Sequence, residues 1–119
     1  MPPKALPLLD VSAIVCCAPM ATPGLDEAAA LEIALRLKAL ADPVRVRLMS
    51  LILTGSEQGC CTCDLAPLVG VTEATVSHHL KKLSEAGLVT GTREGMNVFY
   101  RPERANLTAL GRVIDPECC

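Results

Sequence analysis

Gly70-Val71-Thr72-Glu73-Ala74-Thr75-Val76-Ser77-His78-His79-Leu80-Lys81-Lys82-Leu83 carries a helix end, a tight turn and a helix start in succession. Glycine ends helices well, and threonine is a good N-cap. Beyond Thr72, the apolar residues Val76, Leu80 and Leu83 recur at helical spacing. They predict a helix that runs to Ala86, stops at Gly87 and buries that stripe. Its outer side carries Glu73, Ala74, Ser77, His78, Lys81 and Lys82.

The flanks complete a pattern. Upstream, a short helix is expected from Cys61 or Thr62, carrying Leu65, Ala66, Leu68 and Val69 and ended by Gly70. Before it, Gly55 to Gly59 reads as a polar loop. Asp42-Pro43 starts another helix through Val44, Val46, Leu48, Met49, Leu51 and Ile52, because Asp caps well and Pro suits the first helical position. Leu25, Ala28, Ala29, Leu31, Ile33, Leu35, Leu37 and Leu40 predict a long first helix with a wide apolar surface. Downstream, Leu88 to Thr92 reads as a strand and Arg93-Glu94-Gly95-Met96 as a turn. Asn97 to Arg101 reads as the returning strand. Pro102 then introduces a last helix with Leu107, Leu110, Val113 and Ile114.

The expected fold is therefore mainly α with a small β-hairpin: a winged helix-turn-helix. A helix fits the major groove of DNA, and its polar N-terminal half reaches base edges. Thr72, Glu73, Ser77 and His78 occupy that half. Lys81 and Lys82 follow at phosphate reach, and Arg93 is expected at the wing tip, placed for backbone or minor-groove contact. The chain of 119 residues has a formal net charge of −2, so bulk charge does not drive nucleic-acid binding. The bias is local: residues 72–104 net +1 and the remainder −3. Affinity per monomer should be modest, and a dimer would double the phosphate contacts. Aromatics are 2% of the chain, which leaves few platforms for stacking single-stranded bases.

Ala41-Asp42-Pro43-Val44-Arg45, then Thr75-Val76-Ser77-His78-His79-Leu80-Lys81-Lys82-Leu83, then Ala86-Gly87-Leu88-Val89 resemble the ArsR/SmtB repressors, over roughly residues 25–111. The resemblance implies a homodimer that represses a metal-resistance operon by holding double-stranded operator DNA. Such a dimer leaves the DNA when metal binds. It also implies a dimer interface made by the first and last helices, no permanent cofactor and no enzymatic activity.

Seven cysteines fall in three clusters: Cys16 and Cys17; Cys60, Cys61 and Cys63; Cys118 and Cys119. The odd count and the clustering argue against a fully paired disulfide framework, since sequence neighbours rarely pair. Grouped reduced thiolates suit a soft metal or metalloid. Cys61-Thr62-Cys63-Asp64-Leu65 resembles the family's cysteine motif at the start of the first DNA-reading helix. Within a regular helix, residues two apart point about 200° apart. Sharing one ion then requires a frayed first turn, whose deformation would pass to the reading helix. Some arsenite sensors of the family combine an N-terminal cysteine pair with a cysteine ahead of the reading helices. Its cadmium and lead sensors join arm cysteines to a C-x-C pair. The resemblance thus implies Cys16, Cys17, Cys61 and Cys63 as ligands. The inducer is As(III) or Sb(III), alternatively Cd(II) or Pb(II). Cys60 reads as a ligand, a spare thiol or a buried small residue. Cys118 and Cys119 form a second thiol site, capture released metal or do neither.

Residues 1–24 read as a flexible cysteine-bearing arm, 25–114 as the DNA-binding and dimerisation domain, and 115–119 as a tail. Lys4 followed by a mostly apolar stretch resembles a signal peptide, but Pro7, Asp10 and Pro19 interrupt it. The run is too short and broken to span a membrane. A cytoplasmic setting, where thiols stay reduced, is expected. From Cys17 to Leu25 the chain reaches up to ~26 Å, enough to bring its thiols to Cys61 and Cys63. Adjacent His78 and His79 point about 100° apart on a helix, so they form no ready chelate. Residues 103–114 contain no His, and the zinc site that the family's zinc sensors place on the last helix is not expected. Two alternatives stand beside the repressor. A thiol redox or arsenate-reducing enzyme would need a pKa-lowering setting such as an Arg-bearing anion loop, and no such loop is found. A winged helix that binds protein instead of DNA would use the same Ser77, His78, Lys81 and Lys82 face.

Overall fold

Aspartate side chains start the first two helices. In the computed structural model, which describes residues 24–116, Asp26 Oδ1 accepts the Ala29 N–H (2.8 Å) at the head of α1, Glu27–Leu40. Asp42 Oδ1 accepts the N–H groups of Val44 (2.8 Å) and Arg45 (3.3 Å) at the head of α2, Pro43–Leu53. Desolvation pushes the Asp42 carboxyl up. The Arg45 and Val44 N–H groups, with the His79 and Arg45 charges, outweigh it and hold the carboxyl below its ordinary value. The chain then forms β1 (Cys60–Cys61), α3 (Thr62–Val69), α4 (Glu73–Glu85), β2 (Val89–Glu94), β3 (Asn97–Pro102) and α5 (Arg104–Ile114).

The chain divides into two compact units. One runs from Lys38 to Glu103 and holds α2, the α3–α4 pair and the sheet. Its fully buried side chains include Leu48, Ile52, Leu65, Val76, Leu80, Leu83 and Leu88. Val76, Leu80 and Leu83 are the inner stripe expected for the reading helix. Gly70 ends α3 in the left-handed conformation (φ 77°), its N–H donating to Ala66 O. Thr72 caps α4, its hydroxyl accepting the Thr75 N–H (3.2 Å). The other unit contains α5 and α1 up to Leu37. There Ile33, Ala109, Leu110 and Val113 are buried, while Leu31, Leu35 and Ile114 are exposed. Apolar periodicity concealed an ion pair in α1: Glu32 and Arg36 are both buried and meet at 2.8 Å, one helical turn apart.

The expected winged helix-turn-helix is observed, and its hairpin is part of a three-stranded antiparallel sheet of order β1-β3-β2. The extra strand is β1, with Cys60 opposite Tyr100 and Cys61 opposite Phe99. Two residues carry too little periodicity to be read as a strand from sequence. The wing also extends further than expected. Glu94 pairs with Asn97 and Arg93 with Val98, so the turn is Gly95-Met96 alone. Gly95 makes this tight reversal possible at φ +66°. Arg93 therefore lies inside β2, and the tip belongs to Met96, which is 92% exposed. Pro102 closes β3 opposite Val89 instead of opening the last helix.

Leu80→Ala should cost roughly 2–5 kcal/mol, read from the urea midpoint. Leu68→Ala, at a position 57% exposed, should stay within about 0.5 kcal/mol. Equal losses from the two substitutions would contradict these inner and outer faces.

Candidate functional site

Polar side chains of the reading helix and the wing are accessible. Thr72, Glu73, Ser77, His78, Lys81, Lys82 and Arg93 are all exposed. The Thr72 hydroxyl is engaged locally, capping α4 and contacting Thr75 Oγ1 (3.0 Å). Lys82 lies 3.8 Å from Glu85. Ser77 and Lys81 line a cleft of about 470 Å³ with Ser84, Glu85, Gly91 and Tyr100. The cleft places part of the reading helix opposite both long wing strands. His79 does not share this surface. Its Nδ1 accepts from Arg45 Nε (2.9 Å), and Arg45 also donates to Ala39 O (3.2 Å). That bond leaves His79 packed between α2 and α4, as its half-buried position requires.

The cysteine cluster lies where strand changes to helix. Cys61 ends β1 and is also the residue preceding α3, with extended φ −92° and ψ 163°. Cys63 lies in the first helical turn. The 200° divergence of a regular helix therefore does not apply, and no fraying is needed to bring the two sulfurs together. Cys61 is buried and Cys63 exposed, with Cα atoms 5.2 Å apart. The structure joins the two sulfurs in a disulfide, which corrects the expectation that neighbouring cysteines stay unpaired. The kinked backbone between positions 61 and 63 is what permits it. One ligand atom each from Cys61, Cys63 and Asp64 falls within 4.8 Å of the others.

Cys60 is separated from this cluster. Adjacent strand residues face opposite sides, and the Cys60 sulfur turns to the end of α2, 4.0 Å from Leu51 O. A Cβ on Gly55 would come within 2.7 Å of that sulfur. Burial, then the Asp64 charge, pushes the Cys60 thiol above its ordinary value, which disfavours the thiolate a soft ion needs. The packed alternative for Cys60 is the one that fits this geometry. Cys16, Cys17, Cys118 and Cys119 lie outside the described residues.

Two local features escaped the sequence reading. No side-chain hydrogen bond caps the start of α3. Pro67 lies inside the same helix and has no N–H to close a turn onto the Cys63 carbonyl. The turn bearing Cys63 therefore lacks one of its backbone hydrogen bonds. Arg101 was counted only as charge, yet it donates to Glu57 O (3.0 Å) and to Thr92 Oγ1 (3.1 Å). Strand alternation could have placed Arg101 on a face, but not found its partners.

Comparison with known proteins gives consistent results. The family model "Bacterial regulatory protein, arsR family" matches residues 42–90. The chain is 39% identical over 101 residues to "Putative arsenical resistance operon repressor ArsR2" of Halobacterium salinarum, covering 84% of this chain and 82% of that one. The crystal structure of the AntR antimony-specific transcriptional repressor is similar, with TM-score 0.58 and 30% identity over 76% of this chain and 86% of that one. The homodimeric winged helix-turn-helix DNA-binding domain of Mb0332 from Mycobacterium bovis aligns with TM-score 0.60 and 29% identity, over 78% of this chain and 89% of that one. Several other curated relatives are matched over only 45% to 64% of their own length.

Lys81→Ala should weaken binding to all duplex sequences about equally and reduce the salt slope by about 1. Fluorescence anisotropy across salt concentrations measures both. A loss confined to one sequence would contradict a phosphate contact.

Proposed function

Because the chain belongs to the ArsR/SmtB family of bacterial transcriptional regulators, we propose that it is a metal-responsive repressor whose homodimer holds operator DNA and releases it when its thiolates bind arsenite or antimonite. The observation that carries this reading is the position of Cys61 and Cys63. They stand at the β1–α3 junction, and α3 packs against the reading helix α4. The described residues supply two sulfurs. Cys16 or Cys17 of the arm would supply the third that trivalent arsenic takes. Bound there, the ion offers compact, strongly directional bonds to sulfur.

The remaining steps belong to the chain itself. Thr72, Glu73, Ser77 and His78 present the start of α4 to base edges, while Lys81, Lys82 and Arg93 meet phosphate. Cys61 is buried beside Leu65 and the core, so it is the fixed donor. Cys63 is exposed on a turn without a Pro67 N–H, so it is the donor that moves. In the reduced chain, an ion spanning Cys61, Cys63 and an arm thiol would fix the position of Cys63 and with it the start of α3. It would thereby shift the angle at which α4 is offered to the groove. Exposed Leu31, Leu35 and Ile114 supply apolar surface for the second copy that doubles the phosphate contacts.

The Asp64 oxygen in the same cluster favours a second reading. A carboxylate beside two sulfurs suits Cd(II) or Pb(II) better than trivalent arsenic. Titrating the reduced dimer with arsenite and with Cd(II), while following thiolate absorption and DNA release together, separates these inducers. An ion that saturates the thiols without releasing DNA is not the inducer, and failure of both ions contradicts the repressor reading.

Replacing Cys61 and Cys63 together by Ser should leave ion-free operator binding within about three-fold of the parent and abolish release by arsenite. Release that persists in a gel-shift assay would refute the assigned pair. Deleting residues 1–24 should weaken the inducer response and leave the urea midpoint nearly unchanged. A full response from that deletion would confine sensing to the central cysteines.

A further inference from the structure

The cysteine segment is attached to the wing as well as to α3. Its strand pairs directly with the wing's returning strand, Cys60 opposite Tyr100 and Cys61 opposite Phe99. The loop that leads into it is held against the same strand. Arg101 Nε donates to Glu57 O (3.0 Å) in that loop, Arg101 NH1 donates to Thr92 Oγ1 (3.1 Å) on β2, and Arg101 NH2 lies 3.7 Å from Glu94. One guanidinium thus bridges the loop before Cys60 and the outer wing strand. Gly59 brings the two backbones into close contact. A Cβ there would meet Tyr100 O at 3.0 Å and the Arg101 side chain at 3.2 Å, on a backbone at φ +98°.

We propose that Arg101 is a positioning residue that transmits the state of the Cys61–Cys63 pair to the wing by clamping the loop at Glu57 to Thr92 and Glu94 across β3. The proposal rests on reading that pair as the sensor. A displacement of Cys61 cannot be absorbed in the loop behind it, because the loop is fastened at Glu57 and packed at Gly59. It moves β3, and Arg101 carries that movement to β2, where Arg93 meets the DNA. The wing and the reading helix then lose their matched spacing across the cleft between Lys81 and Tyr100. Arg101 acts through the wing, without touching either ligand.

The test uses the full-length reduced dimer, a duplex containing its own promoter, and arsenite as the probe. Operator affinity is measured with and without saturating arsenite, and thiolate absorption reports arsenite binding. The affinity ratio is the coupling, typically about 5- to 150-fold. In Arg101→Ala, arsenite titration and ion-free affinity should stay within about three-fold of the parent, while the ratio falls to less than about one-third of the parental value. Arg101→Lys keeps the charge but cannot reach three partners, so it should not restore the ratio. Restoration by Lys would show that charge alone suffices without the three-way clamp and overturn the proposal. A parental ratio in Arg101→Ala would also overturn it. Should Arg101→Ala fail to fold, Thr92→Val decides: it removes one acceptor from an exposed strand position, and an unchanged ratio there overturns the clamp. If the parent itself binds arsenite and keeps its DNA, the sensor reading fails first and the proposal with it. A parent that responds beside variants that respond equally leaves the sensor standing and removes only the clamp.

Discussion

Cys61 has to serve two backbone regimes. As the last residue of β1 it pairs with Phe99, and as the residue before Thr62 it starts a helix. Much of the cysteine chemistry follows from this one constraint. Strand alternation sends the Cys60 sulfur to the end of α2 and the Cys61 side chain into the core. The change to helical backbone at Thr62 brings Cys63 back beside Cys61. Three cysteines in four positions thereby become one packed thiol and one converging pair. The same constraint joins the pair to two different DNA-facing parts, α4 through α3 and the wing through β3.

The helices were legible because each has a chemical start and an apolar stripe. Asp42-Pro43 and Thr72 cap α2 and α4 as their side chains permit, and Val76, Leu80 and Leu83 define the buried face of α4. Three features were not legible for definite reasons. β1 is two residues long, so it shows no alternation and exists only because β3 lies beside it. The inner pair Glu32 and Arg36 interrupts an apolar pattern that otherwise marks α1 as uniformly greasy. The turn was expected over four residues, yet Arg93 and Glu94 extend β2 because Val98 and Asn97 are there to pair with them. At the candidate site, residue identity was readable and residue geometry was not. C-x-C on a helix implies divergence, and only the strand pairing of Cys61 reverses that.

Charge sets a second limit on how this fold can work. With a net charge of −2, a single copy cannot rely on long-range attraction to hold DNA. The basic side chains on the reading surface are few, and Lys82 stands near Glu85 while Arg101 is committed to Glu57, Thr92 and Glu94. On the proposed reading, free phosphate-binding capacity among the described residues of this surface would rest mainly on Lys81 and Arg93, both exposed. Small changes in how those two are presented should have large effects on a weak contact set. A modest affinity per copy would suit the proposed switch, because less binding energy would have to be overcome at release.

A ligand shifts an equilibrium only by the difference in its affinity for the two states. An ion held by two thiols on one rigid helix would bind both states alike and release nothing. The arrangement around Cys61 avoids this. Cys61 is buried, as are Leu65, Val76 and Leu80, whereas Cys63 is exposed on a turn that lacks the Pro67 N–H bond. In the reduced chain the separation of the two sulfurs would be set at the exposed Cys63, at the start of α3. An ion bound there would favour the backbone state that sets the sulfurs at its own bonding distance. Because α3 packs against α4 and β1 pairs with β3, a preference at sulfur would, on the proposed reading, become a preference about the surface offered to DNA.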